Sequence, residues 1–171
     1  MATLEIIKVG HPTLAKKAAP VTAIDEDLVR LARDMVETLH AAPGVGLAAP
    51  QVDVSRRLIV VDVSIGENPD ELIILANPEI VSQAGEIVCE EGCLSVPDIH
   101  EKVSRPARVV VKGLGLDGIS QTIEAEEFTA RALCHEIDHL DGKLFIDRLS
   151  PLKRALVKKK IRRQREENGG S

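Results

Sequence analysis

Apolar positions recur at helical spacing near the start of the chain. The stretch after residue 25 places them at i, i+3, i+4 and i+7, which predicts a helix with one buried face. These positions are Leu28, Leu31, Ala32, Met35 and Leu39. Acidic residues 25–27 favour its N-terminus, and Gly44 and Gly46 in GVGLAAPQ are expected to end it. Those glycines permit positive φ or a close approach of a ligand to the backbone.

Short runs rich in β-branched residues occupy the middle of the chain. Gly, Pro, Asn and Asp separate them, and no helix-length periodic segment lies between, so we expect antiparallel strands. The runs are RRLIVVDVS, ELIILANPEIV, EIVCEEGCLSV, ARVVVKGLGL and SQTIEAEEF. EFTARALCHEIDHLDG then predicts a helix that ends at Gly142. Helix, strands and helix in this order indicate an α+β fold.

The last 21 residues differ from the rest of the chain in charge. Ser150 and Pro151 are typical of a helix start, and the helix has an apolar set of Leu152, Leu156, Val157 and Ile161, while the closing ENGGS should fray. Residues 151–171 carry eight Lys or Arg against two Glu, although the whole chain has a net charge of −5. We therefore expect one domain over residues 1–150 and a basic extension over 151–171. The extension is either a solvated helix face or a surface for a polyanionic partner.

Composition excludes several classes of protein. Aromatic residues make up 1% of the chain, with no Trp or Tyr, which removes the stacking platforms of single-strand nucleic-acid binders. No apolar run approaches the roughly 20 residues of a membrane helix, and MATLEIIKVG has no signal-peptide core. We expect a cytoplasmic protein, or an organellar one already processed. In a reducing compartment three cysteines favour metal binding or catalysis, with a Cys89–Cys93 disulfide as the lesser alternative.

The segment HEIDH carries the candidate chemistry. On a helix, His135 and His139 lie one turn apart on one face and can reach a single ion, while Glu136 projects about 100° away. HExxH thus supplies two ligands and a base, and a zinc-type site needs a third protein ligand. Cys93 would complete an open Cys-His-His site. Cys89 leaves a second interpretation, a closed Cys2His2 structural site, although Cys89 lies within an apolar strand.

An open site would favour amide hydrolysis. The ion would lower the pKa of water, and Glu136 could pass the proton to the leaving amine. Backbone N–H groups near Cys93 and the amide of Gln51 could stabilise the oxyanion. Two other classes stay open at this point, a different metal hydrolase and a non-catalytic ribosome-associated module with a structural ion.

Three motifs occur together, GVGLAAPQ, EGCLS and HEIDH, and in this order and spacing the chain resembles peptide deformylase, of the bacterial type with a C-terminal helical extension. This enzyme removes the formyl group from the N-terminal methionine of nascent proteins and releases formate. The resemblance implies antiparallel sheets packed around a central metal-binding helix. It also implies one divalent ion, most often Fe²⁺, with Zn²⁺, Ni²⁺ or Co²⁺ in purified protein, and sensitivity of the thiolate to oxidation.

The resemblance assigns roles to individual residues. Cys93, His135 and His139 match the metal ligands, and Glu136 matches the general acid/base. The side chain of Gln51 and the N–H of Leu94 match the oxyanion donors.

The substrate site follows from the same resemblance. Gly46 matches the backbone that approaches the formyl group, and the peptide is expected to add as a strand beside the loop from Gly44 to Gly46. Residues expected to line the methionine pocket are Val45, Cys89, Phe128, Arg131 through its stem, and Ala132. His100 is either a contact for the peptide beyond methionine or a surface histidine. An ion pair between Glu91 and Arg105 is expected to brace the Cys93 segment.

The partners implied are N-formyl-methionyl nascent peptides and, through the basic C-terminal helix, the ribosome. No membrane and no sequence-specific nucleic acid are expected as partners.

Overall fold

The computed structural model describes residues 3–42 and 44–167. The helices are α1 (Glu26–Ala41), α2 (Glu127–Leu140) and α3 (Pro151–Glu167). The strands are β1 (Gly46–Ala48), β2 (Leu58–Val61), β3 (Ile73–Ala84), β4 (Ile87–Cys93), β5 (Val96–Arg105), β6 (Arg108–Leu114) and β7 (Ser120–Glu126). Within these described ranges no helix is long and apolar enough to cross a membrane. The predicted α+β class with antiparallel sheets is confirmed.

A five-stranded antiparallel sheet forms the centre of the fold, in the order β1-β2-β3-β6-β7. Strand β2 is buried on both faces, which explains its uninterrupted apolar sequence LIVV. Ile59 and Val61 pack towards α2, and Leu58 and Val60 pack with α1. The sheet therefore separates two cores, and α2 is held against one face of it.

Helix α1 forms where the periodicity predicts it. The carboxylate of Asp25 accepts a hydrogen bond from the backbone N–H of Leu28 at 2.9 Å, which satisfies one of the free donors of the first turn. Leu28, Ala32, Met35 and Leu39 are fully buried. The helix ends at Ala41, before the glycines that were expected to end it.

Strands β4 and β5 form a separate two-stranded hairpin. Strand β5 is missing from the strands predicted from the sequence, because Pro97 and several charged residues obscure its alternation. Its buried positions include Ile99 and Val103, which pack with Phe145 in a third core. The register of the hairpin shifts between Glu91 and Cys93, at the end of β4.

Helix α3 begins at Pro151, as predicted, and Ser150 Oγ accepts a hydrogen bond from the N–H of Lys153 at 3.3 Å. Only part of the predicted apolar face is buried. Val157 and Ile161 pack into the third core, whereas Leu152 and Leu156 are 73% and 60% exposed. The division of the chain into 1–150 and 151–171 stays a prediction. Of the closing ENGGS, which was expected to fray, Glu167 is the last residue of α3, and residues 168–171 lie outside the described residues.

Candidate metal centre and active site

Three ligand atoms converge where α2 faces the end of β4. The Cys93 Sγ and one ring nitrogen each of His135 and His139 all lie within 4.8 Å of one another. Sγ is 3.4 Å from His139 Nε2, and the two Nε2 atoms are 3.2 Å apart. Among residues 3–42 and 44–167 this is the one such cluster of His, Cys, Asp or Glu. One thiolate and two imidazoles suit a divalent transition-metal ion, so the residues present fit the metal that an HExxH motif implies.

The second ring nitrogen of His135 is fixed by a carboxylate. His135 Nδ1 lies 2.9 Å from Glu91 Oε1, which leaves Nε2 directed towards Cys93 and His139. Arg105 grips the same carboxylate with two hydrogen bonds, from Nε at 2.9 Å and from Nη2 at 2.8 Å. Burial alone would raise the pKa of Glu91, but these hydrogen bonds lower it to about 2. Glu91 therefore remains a carboxylate, able to accept the His135 hydrogen bond.

The hairpin and its bulge present Cys93 to α2. Gly92 precedes it, and a Cβ built on Gly92 would lie 2.6 Å from the Cδ2 atom of His100. A larger residue at this position would require the exposed imidazole to move. His100 thus packs against the backbone next to a candidate ligand.

Glu136 is buried beside the ligand cluster. Its Oε1 has no hydrogen-bond partner, and its Oε2 lies against the backbone of Gly46. A Cβ on Gly46 would lie 2.5 Å from Oε2, so this position has room only for glycine. Burial raises the pKa of Glu136 to about 7, the range in which a carboxyl group can both accept and donate a proton near neutral pH.

The amide of Gln51 is oriented by three hydrogen bonds. Its Oε1 accepts from the N–H of Ala48 at 3.0 Å, and its Nε2 donates to Ser95 Oγ at 3.2 Å and to Cys93 Sγ at 3.6 Å. Gln51 is 1% exposed and Ser95 is fully buried. The N–H donors of the amide therefore point at the ligand cluster, and their orientation is held from both ends.

An open cleft of about 460 Å³ leads to this cluster. Its walls include twelve of the residues expected at the ligand, acid/base, oxyanion and substrate positions. They are Gly44, Val45, Gly46, Gln51, Cys93, Leu94, Phe128, Arg131, Ala132 and His100, together with His135 and Glu136 at the base. The guanidinium of Arg131 lies 5.5 Å from the ring centroid of Phe128 and donates to the carbonyl of Glu90 at 3.0 Å.

The other two cysteines lie away from the cluster. Cys89 is half-buried on β4 and is absent from both the ligand group and the walls of the cleft. The closed Cys2His2 arrangement is therefore not formed, and none of the three cysteines is in a disulfide. Cys134 is buried, and burial raises the pKa of its thiol to about 11, which keeps it protonated.

Sequence reasoning missed three side chains that support the site. Ser95 lies inside the EGCLS motif and Asp138 inside HEIDH, so both were in view without a role. The motif spacing gives no sign that Ser95 would contact Gln51 or that Asp138 would bind Arg105. Arg148 follows the helix by eight residues and also binds Asp138.

An ion held by three protein ligands beside a buried carboxylate is the arrangement of metal-dependent hydrolases, and the chain is an enzyme of this class. The sequence profile of the polypeptide deformylase family matches residues 3–155. The chain belongs to that family, whose activity is removal of the N-formyl group from the N-terminal methionine of nascent proteins.

Relatives agree over nearly the whole length. Peptide deformylase from Acidobacterium capsulatum is 52% identical over 158 residues, which is 92% of this chain and 93% of the relative. Peptide deformylase from Thermodesulfovibrio yellowstonii is 53% identical over 162 residues, or 95% and 98% of the two chains. The crystal structure of a peptide deformylase from Legionella pneumophila superposes with a TM-score of 0.90 at 44% identity and covers 99% of both chains. The family excludes the non-catalytic module considered above.

Proposed function

We propose that Cys93, His135 and His139 bind one divalent ion and that Glu136 transfers the proton in deformylation. One observation carries this assignment, the buried Oε1 of Glu136, which lacks a partner and lies beside the ligand cluster. Burying a carboxylate oxygen without a partner is costly, so such a group in a cleft usually has a functional role. A bound ion would supply Lewis acidity, which polarises the formyl carbonyl and lowers the pKa of water.

The proposed ion in the cell is Fe²⁺. A thiolate together with two imidazoles is a donor set that iron accepts, and Zn²⁺, Ni²⁺ and Co²⁺ accept it as well, so purified protein could hold any of them. The half-buried Cys93 thiolate would be exposed to oxidation through the open cleft.

Glu136 is positioned to move one proton. It takes a proton from the attacking water as the oxygen–carbon bond forms at the formyl carbon. It then delivers that proton to the methionine nitrogen as the carbon–nitrogen bond breaks, which leaves a free amine and formic acid. The formic acid loses its proton to the solvent and is released as formate. Contact with Gly46 on one side restricts the carboxylate to the side of α2 that faces the cleft.

Gln51 and the backbone N–H of Leu94 are proposed to stabilise the negative charge on the carbonyl oxygen. The Gln51 amide is held in place by Ala48 and Ser95, so only the N–H that now donates to Cys93 Sγ has to turn to the carbonyl oxygen. Leu94 directly follows Cys93 and lines the cleft, which supports this role for its N–H.

The peptide is proposed to add as a strand between β1 and β4. Strand β1 is an edge strand of the large sheet, and the cleft lies between its loop and the hairpin. Backbone hydrogen bonds to an added strand tolerate varied sequences after the first residue. The unbranched methionine side chain would enter the pocket of Val45, Phe128, Ala132 and the stem of Arg131, while His100 would contact the peptide further along. The role of Cys89 in this pocket stays a prediction.

Formate release from a formyl-Met tripeptide tests the catalytic proposal. Protein purified without oxygen and loaded with Fe²⁺ should release formate, and the acetyl-Met peptide should release no acetate. Glu136→Ala should bind the ion in the same stoichiometry and lose about 100-fold to 10,000-fold in turnover. Full turnover by Glu136→Ala, or metal binding unchanged by Cys93→Ala, would contradict the assignment.

We propose that this enzyme is cytoplasmic and that its basic helix α3 binds the ribosome, since ribosomal RNA is a polyanion. Val157 and Ile161 attach the helix to the hairpin core, and most of its basic side chains stay exposed. Two of the eight are engaged elsewhere, because Arg154 donates to the carbonyls of Asp147 and Leu149, and Lys153 pairs with Glu101 at 3.6 Å.

Cosedimentation with ribosomes at two salt concentrations tests this proposal. Replacing Lys158, Lys159 and Lys160 with Glu should abolish binding at low salt, and binding of the unchanged chain should weaken steeply as salt rises. Lys16 and Lys17 are exposed at the other end of the chain, and their replacement with Glu serves as the charge control. Equal binding by all three proteins would rule out this role, and the catalytic proposal would be unaffected.

A further inference from the structure

Arg148 terminates a chain of alternating charges that starts at a candidate metal ligand. His135 Nδ1 contacts Glu91, and Arg105 binds Glu91 through two nitrogens. The third nitrogen of that guanidinium, Nη1, donates to Asp138 Oδ2 at 2.6 Å. Arg148 then donates to both oxygens of Asp138, from Nη2 to Oδ1 at 2.6 Å and from Nε to Oδ2 at 3.0 Å.

The charges in this chain balance only when Arg148 is included. Glu91, Arg105 and Asp138 have side chains that are 8%, 3% and 9% exposed, so their charges need partners inside the protein. The side chain of Arg148 is 44% exposed and closes the chain at the surface. Without it, two buried carboxylates would compete for the single guanidinium of Arg105.

That competition would change the contact between Glu91 and His135, and with it the metal centre. Arg105 holds Glu91 in the orientation that receives His135 Nδ1, and any movement of Arg105 towards Asp138 would loosen that grip. Asp138 lies on α2 directly before His139, so it would also pull on the helix that carries both histidines. Partners of a metal-ligating histidine typically change metal affinity or activity about 10-fold to 100-fold when they are removed.

We propose that Arg148 is a positioning residue for the metal centre, acting through Asp138, Arg105 and Glu91 on His135. The inference rests on the proposed ligand role of His135. Arg148 touches neither the cleft nor the ligand atoms, so its effect is indirect. A purely structural alternative exists, in which Arg148 only fastens the segment before α3 to α2.

A matched arginine separates the two explanations. Arg57 also holds α2, since its Nη1 donates to the carbonyl of Leu140 at 2.9 Å and its Nη2 pairs with Asp141 at 3.1 Å. It fastens the same helix one residue beyond His139 but has no connection to Glu91 or Arg105 among the contacts of the described residues. Arg57→Ala therefore loosens α2 without breaking the charge chain.

The experiment measures metal release to a chelator in excess from the Ni²⁺-loaded full chain. Arg148→Ala should release the ion about 10-fold faster, at the low end of the usual range because three residues lie between it and His135. Arg57→Ala should release it at the unchanged rate. Arg148→Lys should fall in between, since an ammonium keeps the charge but cannot form two parallel hydrogen bonds with one carboxylate.

Two further readouts guard against loss of folding as the cause. The absorption spectrum of the Co²⁺-loaded protein should shift in Arg148→Ala and Arg148→Lys and not in Arg57→Ala, and denaturant unfolding gives the stability of each variant. In the iron enzyme, Arg148→Ala should lower kcat and leave KM unchanged. Equal release rates for Arg148→Ala, Arg148→Lys and the unchanged chain would overturn the inference, as would equal acceleration by Arg148→Ala and Arg57→Ala.

The Co²⁺ spectrum of the unchanged chain also distinguishes the two levels of failure. If it shows no thiolate-to-metal charge-transfer band, or if Cys93→Ala does not abolish that band, the proposed ligand set fails and the inference fails with it. If the band is present and depends on Cys93 while release is unaffected by Arg148, the ligand set stands and the positioning role alone is refuted.

Discussion

Gly46→Ala is expected to inactivate the enzyme through displacement of Glu136. The added Cβ would lie 2.5 Å from Oε2 and 2.9 Å from Cδ, whereas ordinary contact begins at 3.4 Å. The carboxylate must therefore move by about 0.9 Å. Misplacement of a reacting group by about 1 Å can lower the rate about 100-fold, which corresponds to about 2.7 kcal/mol of transition-state stabilisation. We expect that loss in kcat, with the metal content unchanged.

A double-mutant cycle isolates this cause. Formate release is measured for Gly46→Ala, for Glu136→Ala and for the double variant, each loaded with the same ion. If the alanine acts by displacing the carboxylate, it should have almost no further effect once Glu136 has been replaced. A 100-fold loss in both backgrounds would mean that Gly46 acts on the substrate backbone instead, and full activity of the single variant would refute the steric argument.

Three further predictions concern stability. In the folded protein, hydrogen bonds from Ser64 and His40 lower the pKa of Asp62 despite the opposing effect of burial. Asp62→Asn should therefore lower the free energy of unfolding by about 1–3 kcal/mol at pH 7. The difference in unfolding free energy between the unchanged chain and Asp62→Asn should shrink as the pH falls below about 4, and it should vanish below the pKa of Asp62 in the folded protein. Urea unfolding at several pH values measures it. A difference that does not change with pH would show that the charge of Asp62 is not its cause. Phe145 is fully buried, and its ring centroid lies 6.2 Å from that of His135 in a stacked arrangement. Phe145→Ala should therefore lower the free energy of unfolding by about 3–5 kcal/mol in the same assay. A loss below about 1 kcal/mol would contradict this packing. Removal of the ion with a chelator should lower the Tm of the unchanged chain and leave that of Cys93→Ala unaffected, and equal shifts in both would refute the ligand assignment.

Much of the fold follows from periodicity, and its exceptions have physical causes. Helix α1 and the apolar strands depend on regular burial, which a sequence records directly. Strand β5 pairs with β4 in a hairpin with one exposed face. Pro97 and Asp98 are both exposed near its start, so apolar and polar residues do not alternate there. Strand β1 has three residues and lies in a glycine-containing segment, which local patterns describe as a loop. Leu152 and Leu156 are apolar but exposed, because only one side of α3 meets the hairpin.

The candidate ligands were predictable because helical spacing brings His135 and His139 together. The support of the site was not, because it depends on contacts between residues far apart in sequence. Glu91 and His135 are separated by 44 residues, as are Gln51 and Ser95. The glycines show the same limit. GVGLAAPQ indicates a special backbone, but only the fold shows that Gly46 makes room for a carboxylate from α2.

After its exposed first turn, helix α2 is enclosed by the rest of the protein, and this determines how the site responds to change. Residues from Ala132 to Leu140 are all buried. Leu133 and Ile137 pack on the sheet, while His135 and Asp138 face the hairpin and its charges. A substitution in the core between the sheet and α2 and a substitution in the charge chain therefore act on the same rigid helix from opposite sides. We expect substitutions on the two sides to be additive in unfolding free energy but to differ in metal release, because only the hairpin side contacts a ligand nitrogen directly.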